Sequence, residues 1–291
     1  MSATLQTTLT QYIDAAIGIR FAYRRLGASS PITNVPLVLH IHFRANMDLW
    51  DPLFINALAA KREVIIFDNA GVGRSSGAVP DTYQGWANDL ITLVGALAVE
   101  KFDLLGFSMG GIAVQYVALT VPDMVRKLVV AGSRAAAPIV HRSVKEGGVD
   151  FLKDEPPAEP IEKLRSSVTL EEGRIRGRIQ ERDVDGEPLI LDLLDKDGGA
   201  TNQILATILD QEQSEDPEFL KWYTGSNELT MPVFVANGDD DLLIPTSRSW
   251  ELFTKVKGAH LRLFPNAGHG FIWQYAESFA GEVNEFLDSD A

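Results

Sequence analysis

The chain has 291 residues, 45% of them hydrophobic and 23% charged, and its 26 Lys plus Arg against 40 Asp plus Glu give a formal charge of −14. That length fits one large α/β domain or two small ones, and a single domain of this size buries roughly three quarters of the surface its unfolded chain exposes. The acidic balance repels phosphate backbones and anionic headgroups, so neither nucleic acid nor a membrane is expected as partner, and the absence of cysteine excludes disulfides, a thiol nucleophile and thiolate-held metals.

The segment Met1 to Thr10 is polar and lacks the basic start and apolar core of a signal peptide. No apolar run approaches the ~20 residues that span a bilayer, and a cytoplasmic protein is expected. Gln11 to Tyr23 carries two short alternating runs around Gly18 and predicts a hairpin. Pro36 to His42 and Glu63 to Asp68 are short apolar runs that suit buried strands, the second ending in the turn-rich stretch Asn69 to Gly77. Asp81 or Thr82 caps a predicted helix to about Val99, Phe102 to Gly106 is a strand, Met109 to Thr120 a helix and Arg126 to Ala131 a strand. Strand and helix alternating at this spacing predict a parallel sheet with right-handed crossovers.

From about Arg134 to Leu229 the pattern changes to charged sequence broken by Asp154 to Pro160. Helices are expected at 161–167, 170–180 and 200–213, with one strand candidate at 189–191, so 134–229 reads as a helical lid inserted between core segments 1–133 and 230–291. The sheet pattern resumes with strands Pro232 to Asn237 and His260 to Phe264, a helix Thr246 to Val256 between them, and a last helix Trp273 to Leu287.

Gly106-Phe107-Ser108-Met109-Gly110 reads G-x-S-x-G directly between an apolar strand and an apolar helix. That is the setting of a nucleophile elbow, a sharp turn that holds the serine above the carboxyl end of a strand. A serine hydroxyl needs a base within hydrogen-bond reach to attack an acyl carbon. Of the five histidines, His269 sits in the glycine-flanked loop Gly268-His269-Gly270 near the end of the chain, where the elbow order of serine, acid, histidine puts the base. His260 at a strand start reads as structural and His141 as exposed. The acid that orients the imidazole lies among Asp239, Asp240 and Asp241, and the chemistry alone leaves that choice open. An oxyanion hole requires backbone N–H donors, one from Met109 after the nucleophile and one from Phe43 in the loop after Pro36 to His42, with His42 as a positioning residue.

Taken in order, His42-Phe43, Phe67-Asp68-Asn69-Ala70-Gly71-Val72-Gly73-Arg74-Ser75, Gly106 to Gly111, Asn237 to Asp241 with Pro245, and Gly268-His269-Gly270 resemble the α/β-hydrolase superfamily over nearly the whole chain outside the insertion. The resemblance implies a mostly parallel eight-stranded sheet flanked by helices, and it selects Asp241 as the acid, the third residue after the glycine of a G-x-x-D stretch. His42-Phe43-Arg44 departs from the H-G that many members carry before the oxyanion donor. Serine at 108 separates the chain from the members that use aspartate there and makes it similar to the esterase, lactonase and cofactor-free peroxidase-like branch. The resemblance thus implies a hydrolase acting on a small apolar ester or lactone, with no metal or organic cofactor. A C–C bond hydrolase or acyl transferase with the same residues, and a slow or non-catalytic receptor on the same scaffold, stay open, as does a homodimer.

Overall fold

The computed structural model of the protein describes residues 4–16, 18–27, 35–43, 45–136 and 224–290. Among them β1 (Gln11–Asp14), β2 (Arg20–Leu26), β3 (Leu37–His40), β4 (Val64–Phe67), β5 (Phe102–Phe107), β6 (Val125–Ala131), β7 (Val233–Gly238) and β8 (His260–Phe264) form one sheet. Its order is β1-β2-β4-β3-β5-β6-β7-β8. β1 and β2 are the expected hairpin, β2 runs antiparallel to β4, and the pairings from β4 through β8 are all parallel.

The strand sequences explain why the sheet is covered on both faces. LVLH in β3 and VIIF in β4 are buried throughout, as expected of parallel strands between helical layers. Alternate residues face opposite layers. Val38, Ile65 and Leu104 pack with Trp86, Leu90, Val114 and Val117 of α2 (Tyr83–Ala96) and α3 (Met109–Thr120). Leu39, Ile66 and Leu105 pack with Phe54 and Leu58 of α1 (Pro52–Ala59) and with residues near the end of the chain. Each such Leu, Ile or Phe contributes about 1.5–3 kcal/mol of burial. Thr82 caps α2, its hydroxyl oxygen accepting from Gly85 N at 3.0 Å.

Two elements differ from the sequence reading. Helix α1 is not among the expected elements. Asp51 caps it, accepting from Leu53 N at 2.9 Å, and Pro52 opens it, but eight residues are too few for a 3.6-residue period to stand out. The single helix expected over 273–287 is two, α5 (Phe271–Gln274) and α6 (Ala276–Asp288), separated at Tyr275, with α4 (Thr246–Lys255) before them between β7 and β8. Tyr275 is turned out of helical geometry with ψ at 30°, and its hydroxyl donates to Pro265 O at 2.7 Å.

The insertion expected over 134–229 lies, from 137 to 223, outside the described residues, and with it the helices and strand expected there. Its two roots are described and meet at one buried side chain. Gln115 of α3 donates to Arg134 O at 2.8 Å, and its carbonyl oxygen accepts from Ala136 N at 3.0 Å and from the Ser226 hydroxyl at 3.4 Å.

At the amino-terminal edge of the sheet, buried cations hold the end of α6. Lys127 donates to Phe286 O at 2.8 Å and Ser289 O at 2.6 Å, and Arg62 donates to Asn284 Oδ1 at 2.7 Å and Asp288 at 2.9 Å. Cations at a helix carboxyl terminus satisfy its last carbonyls and complement its dipole. No helix among the described residues is long and apolar enough to cross a membrane.

Candidate active site

Ser108 joins β5 to α3 with φ 59° and ψ −122°, a conformation L-residues seldom adopt. Such strain costs about 1–3 kcal/mol and persists only where the surroundings enforce it. Here they do. Ser108 N donates to Ala131 O at 2.9 Å, and Ser108 O accepts from the Ser133 hydroxyl at 2.7 Å. The glycines are required by close approach. A Cβ at Gly106 would meet Gly110 O at 2.3 Å, and one at Gly110 would meet His40 O at 2.4 Å.

The loop after β8 brings His269 over this turn. Its Nε2 lies 2.9 Å from Ser108 Oγ and its Nδ1 lies 2.8 Å from Asp241 Oδ2. A carboxylate only accepts, so Nδ1 carries the proton, and the bare Nε2 accepts from the serine hydroxyl. Asp241 is 4% exposed, and its other oxygen accepts from Leu243 N at 2.8 Å and Ile244 N at 2.9 Å. Those bonds leave Oδ2 aimed at the imidazole. Asp239 is exposed, and its carboxylate accepts from Ala267 N at 3.2 Å, so it ties down the histidine loop and not the histidine.

The two expected oxyanion donors lie at the same end of the sheet. Met109 is the first residue of α3, so its N–H has no carbonyl within the helix to bond. Phe43 occupies the turn after β3, while Arg44 beside it lies outside the described residues. The stretch beyond it is braced from below. Asp68 accepts from Met47 N and from Arg74 N, each at 2.8 Å, and Asp48 pairs with Arg24 at 2.7 Å and with Arg74 at 2.6 Å. Burial raises Asp68 to about 6, against the lowering effect of those N–H groups. The sequence reading missed Asp48, Arg24 and Ser133. No local motif marks them, because their partners are 20 or more residues away in the chain.

Two histidines stand two residues apart at the end of β3, and their rings pack on different residues, His40 on Phe67 and Trp86 and His42 on Phe107 and Trp273. His40, fully buried, stacks on Trp86 at 5.5 Å, and burial pushes it down to about 4. His42 is half-buried and likewise lowered to about 4, chiefly by desolvation and further by His269, against the raising effect of Phe43 O. Both imidazoles are neutral at pH 7, so neither supplies a cation to the site.

A serine in a strained strand-to-helix turn, and a histidine held between it and a buried carboxylate at the carboxyl edge of a mostly parallel eight-stranded sheet, are the arrangement of an α/β hydrolase. The family model described as alpha/beta hydrolase fold matches residues 35–275, and the chain belongs to that family. A solved structure, an α/β-hydrolase fold protein from Chitinophaga pinensis, is 33% identical with a TM-score of 0.76, covering 99% of this chain and 100% of that one. A Caulobacter sp. (strain K31) protein provisionally named carbamate hydrolase RutD is 28% identical over 257 residues, 83% of this chain and 86% of the relative. A 2-hydroxy-6-oxononadienedioate/2-hydroxy-6-oxononatrienedioate hydrolase of Cupriavidus pinatubonensis is 23% identical over 235 residues, 79% of this chain and 78% of that protein.

Proposed function

We propose that the protein is a serine hydrolase that cleaves a small ester or lactone through an acyl-enzyme on Ser108. One observation carries the reading: the unbroken run from Ser108 Oγ to His269 Nε2 at 2.9 Å and from His269 Nδ1 to Asp241 at 2.8 Å, at a serine held in a strained turn. In the first half-reaction Oγ attacks the carbonyl carbon as its proton passes to His269 Nε2. The Met109 and Phe43 N–H groups receive the negative oxygen. Collapse expels the alkoxide, which leaves with the proton from His269. In the second half-reaction water gives a proton to His269 and attacks the acyl carbon. Collapse then releases the acid, and the proton returns to Ser108 Oγ. Asp241 stays ionised and stabilises the imidazolium in both halves.

A second reading keeps the same residues and changes the bond. The Caulobacter and Cupriavidus relatives are named as hydrolases of a carbamate and of 2-hydroxy-6-oxononadienedioate or 2-hydroxy-6-oxononatrienedioate, and a carbamate or a C–C bond beside a carbonyl also yields to an activated serine or to a water activated at the same histidine. Turnover of p-nitrophenyl butyrate by the wild type and by Ser108→Ala tests the proposal. The ester reading requires hydrolysis by the wild type and a loss of about 10³-fold or more in kcat in the variant. Equal rates for the two proteins would reject it.

A further inference from the structure

His42 plays no part in the proton transfers above, yet its ring is fixed beside the groups that make them. It packs edge-on against Phe107 at 5.5 Å and Trp273 at 5.7 Å, and Phe107 lies 5.0 Å from His269. Its Nδ1 is 2.8 Å from Phe43 O. A carbonyl oxygen has no proton to give, so Nδ1 carries the hydrogen and donates. In a neutral imidazole that leaves Nε2 as a bare lone pair. No described residue donates to it. It is also not sealed away, in contrast to His40 Nε2, which is buried without a partner.

We infer that His42 is a specificity-determining hydrogen-bond acceptor, and that the substrate carries an O–H or N–H donor at the α-position of the carbonyl that Ser108 attacks. The inference rests on the serine-hydrolase reading and deepens it. Three directions lead away from an attacked carbonyl carbon. The oxygen must face the Phe43 and Met109 N–H groups, and the leaving atom must face His269 Nε2 to receive its proton. The remaining direction is the acyl α-position, and the proposal sets it against His42, whose ring is held by Phe43 O, Phe107 and Trp273 beside the expected oxyanion donor. A fixed acceptor there favours a substrate with a donor and leaves a substrate without one facing an unpaired nitrogen.

Three p-nitrophenyl esters test it: butyrate, 2-hydroxybutyrate and 2-methoxybutyrate, each corrected for its rate of alkaline hydrolysis. The wild type is expected to favour the 2-hydroxy over the 2-methoxy ester by about tenfold or more in kcat/KM. His42→Phe keeps an aromatic ring against Phe107 and Trp273 but has no acceptor, and should bring that ratio close to one. His42→Gln, which restores an acceptor, should recover part of it. Imidazole ¹⁵N spectra of the wild type, assigned with His42→Gln, should show a protonated Nδ1 and an unprotonated Nε2 at pH 7. Ser108-dependent turnover with a wild-type ratio near one, or a ratio unmoved in His42→Phe, overturns the inference and leaves the hydrolase reading intact. A proton on Nε2 overturns it regardless of activity. No Ser108-dependent turnover of any ester removes both.

Discussion

Asp239 and Asp241 stand two residues apart in one loop, and their hydrogen bonds give them different work. Asp241 has one oxygen tied to Leu243 N and Ile244 N and the other on His269. Asp239 holds Ala267 N. Asp241→Asn should lower kcat by about 10³- to 10⁴-fold with KM little changed, because an amide cannot hold the Nδ1–H tautomer or stabilise the imidazolium. Asp239→Asn should lower it by less than about tenfold, since an amide oxygen still accepts from Ala267 N. Steady-state kinetics on a chromogenic ester reads both. The meeting of Ser108 and His269 was legible in the sequence because a sharp elbow and a back-turned loop need glycines at fixed offsets. Which aspartate meets His269 was not legible from chemistry alone. Three adjacent carboxylates are equivalent until the path of the loop is known, and only the family pattern singled out Asp241.

At the scale of elements, strands β3 to β8 were legible to within two residues, β3 to β7 because buried parallel strands are largely apolar runs, while β8 lies at the sheet edge with only Phe264 buried. Helix α1 was not, being two turns long, and neither was the break at Tyr275, which depends on a hydroxyl reaching Pro265 O. Helix α2 carries a further consequence. Asp89 lies on it, 7% exposed, with one carboxylate oxygen buried and unpartnered, and burial raises its pKa to about 7. The unfolded chain loses that proton near pH 4, whereas the folded protein keeps it to about pH 7. The folded state therefore binds more protons between those values, and stability falls as pH rises through them. Asp89→Asn should be close to neutral in stability at pH 4.5 and stabilising on the order of 2 kcal/mol at pH 8. Urea unfolding at the two pH values measures the difference.

Across the described residues the sheet separates the candidate site from the buried ion and hydrogen-bond network at its other edge. The carboxyl ends of β3, β5, β7 and β8 lead into the loops that hold Phe43, Ser108, Asp241 and His269. The opposite edge is where Lys127, Arg62 and Arg126 meet the end of α6. Along β6, Lys127 and Ala131 are separated by about 13 Å at the strand rise, and Ala131 O is the group that anchors Ser108 N. Lys127→Met should lower unfolding stability by about 1–3 kcal/mol by removing the side-chain donor to Ser289 O and one of the donors to Phe286 O, which keeps the Ser289 hydroxyl at 2.7 Å, with kcat unchanged, as paired denaturation and activity measurements would show. These long-range partners, 159 and 162 residues from Lys127, are the part of the structure that no local pattern in the sequence carries.

The central claim is that Ser108 is a nucleophile activated by His269. Labelling of the folded protein with a fluorophosphonate, then peptide mass mapping, tests it most directly, because the probe reports the activated hydroxyl without reference to substrate. One adduct is expected, located on Ser108, absent in Ser108→Ala and formed at least about 10³-fold more slowly in His269→Ala. A folded protein that stays unlabelled, or one that labels Ser108 at the same rate without His269, would contradict it.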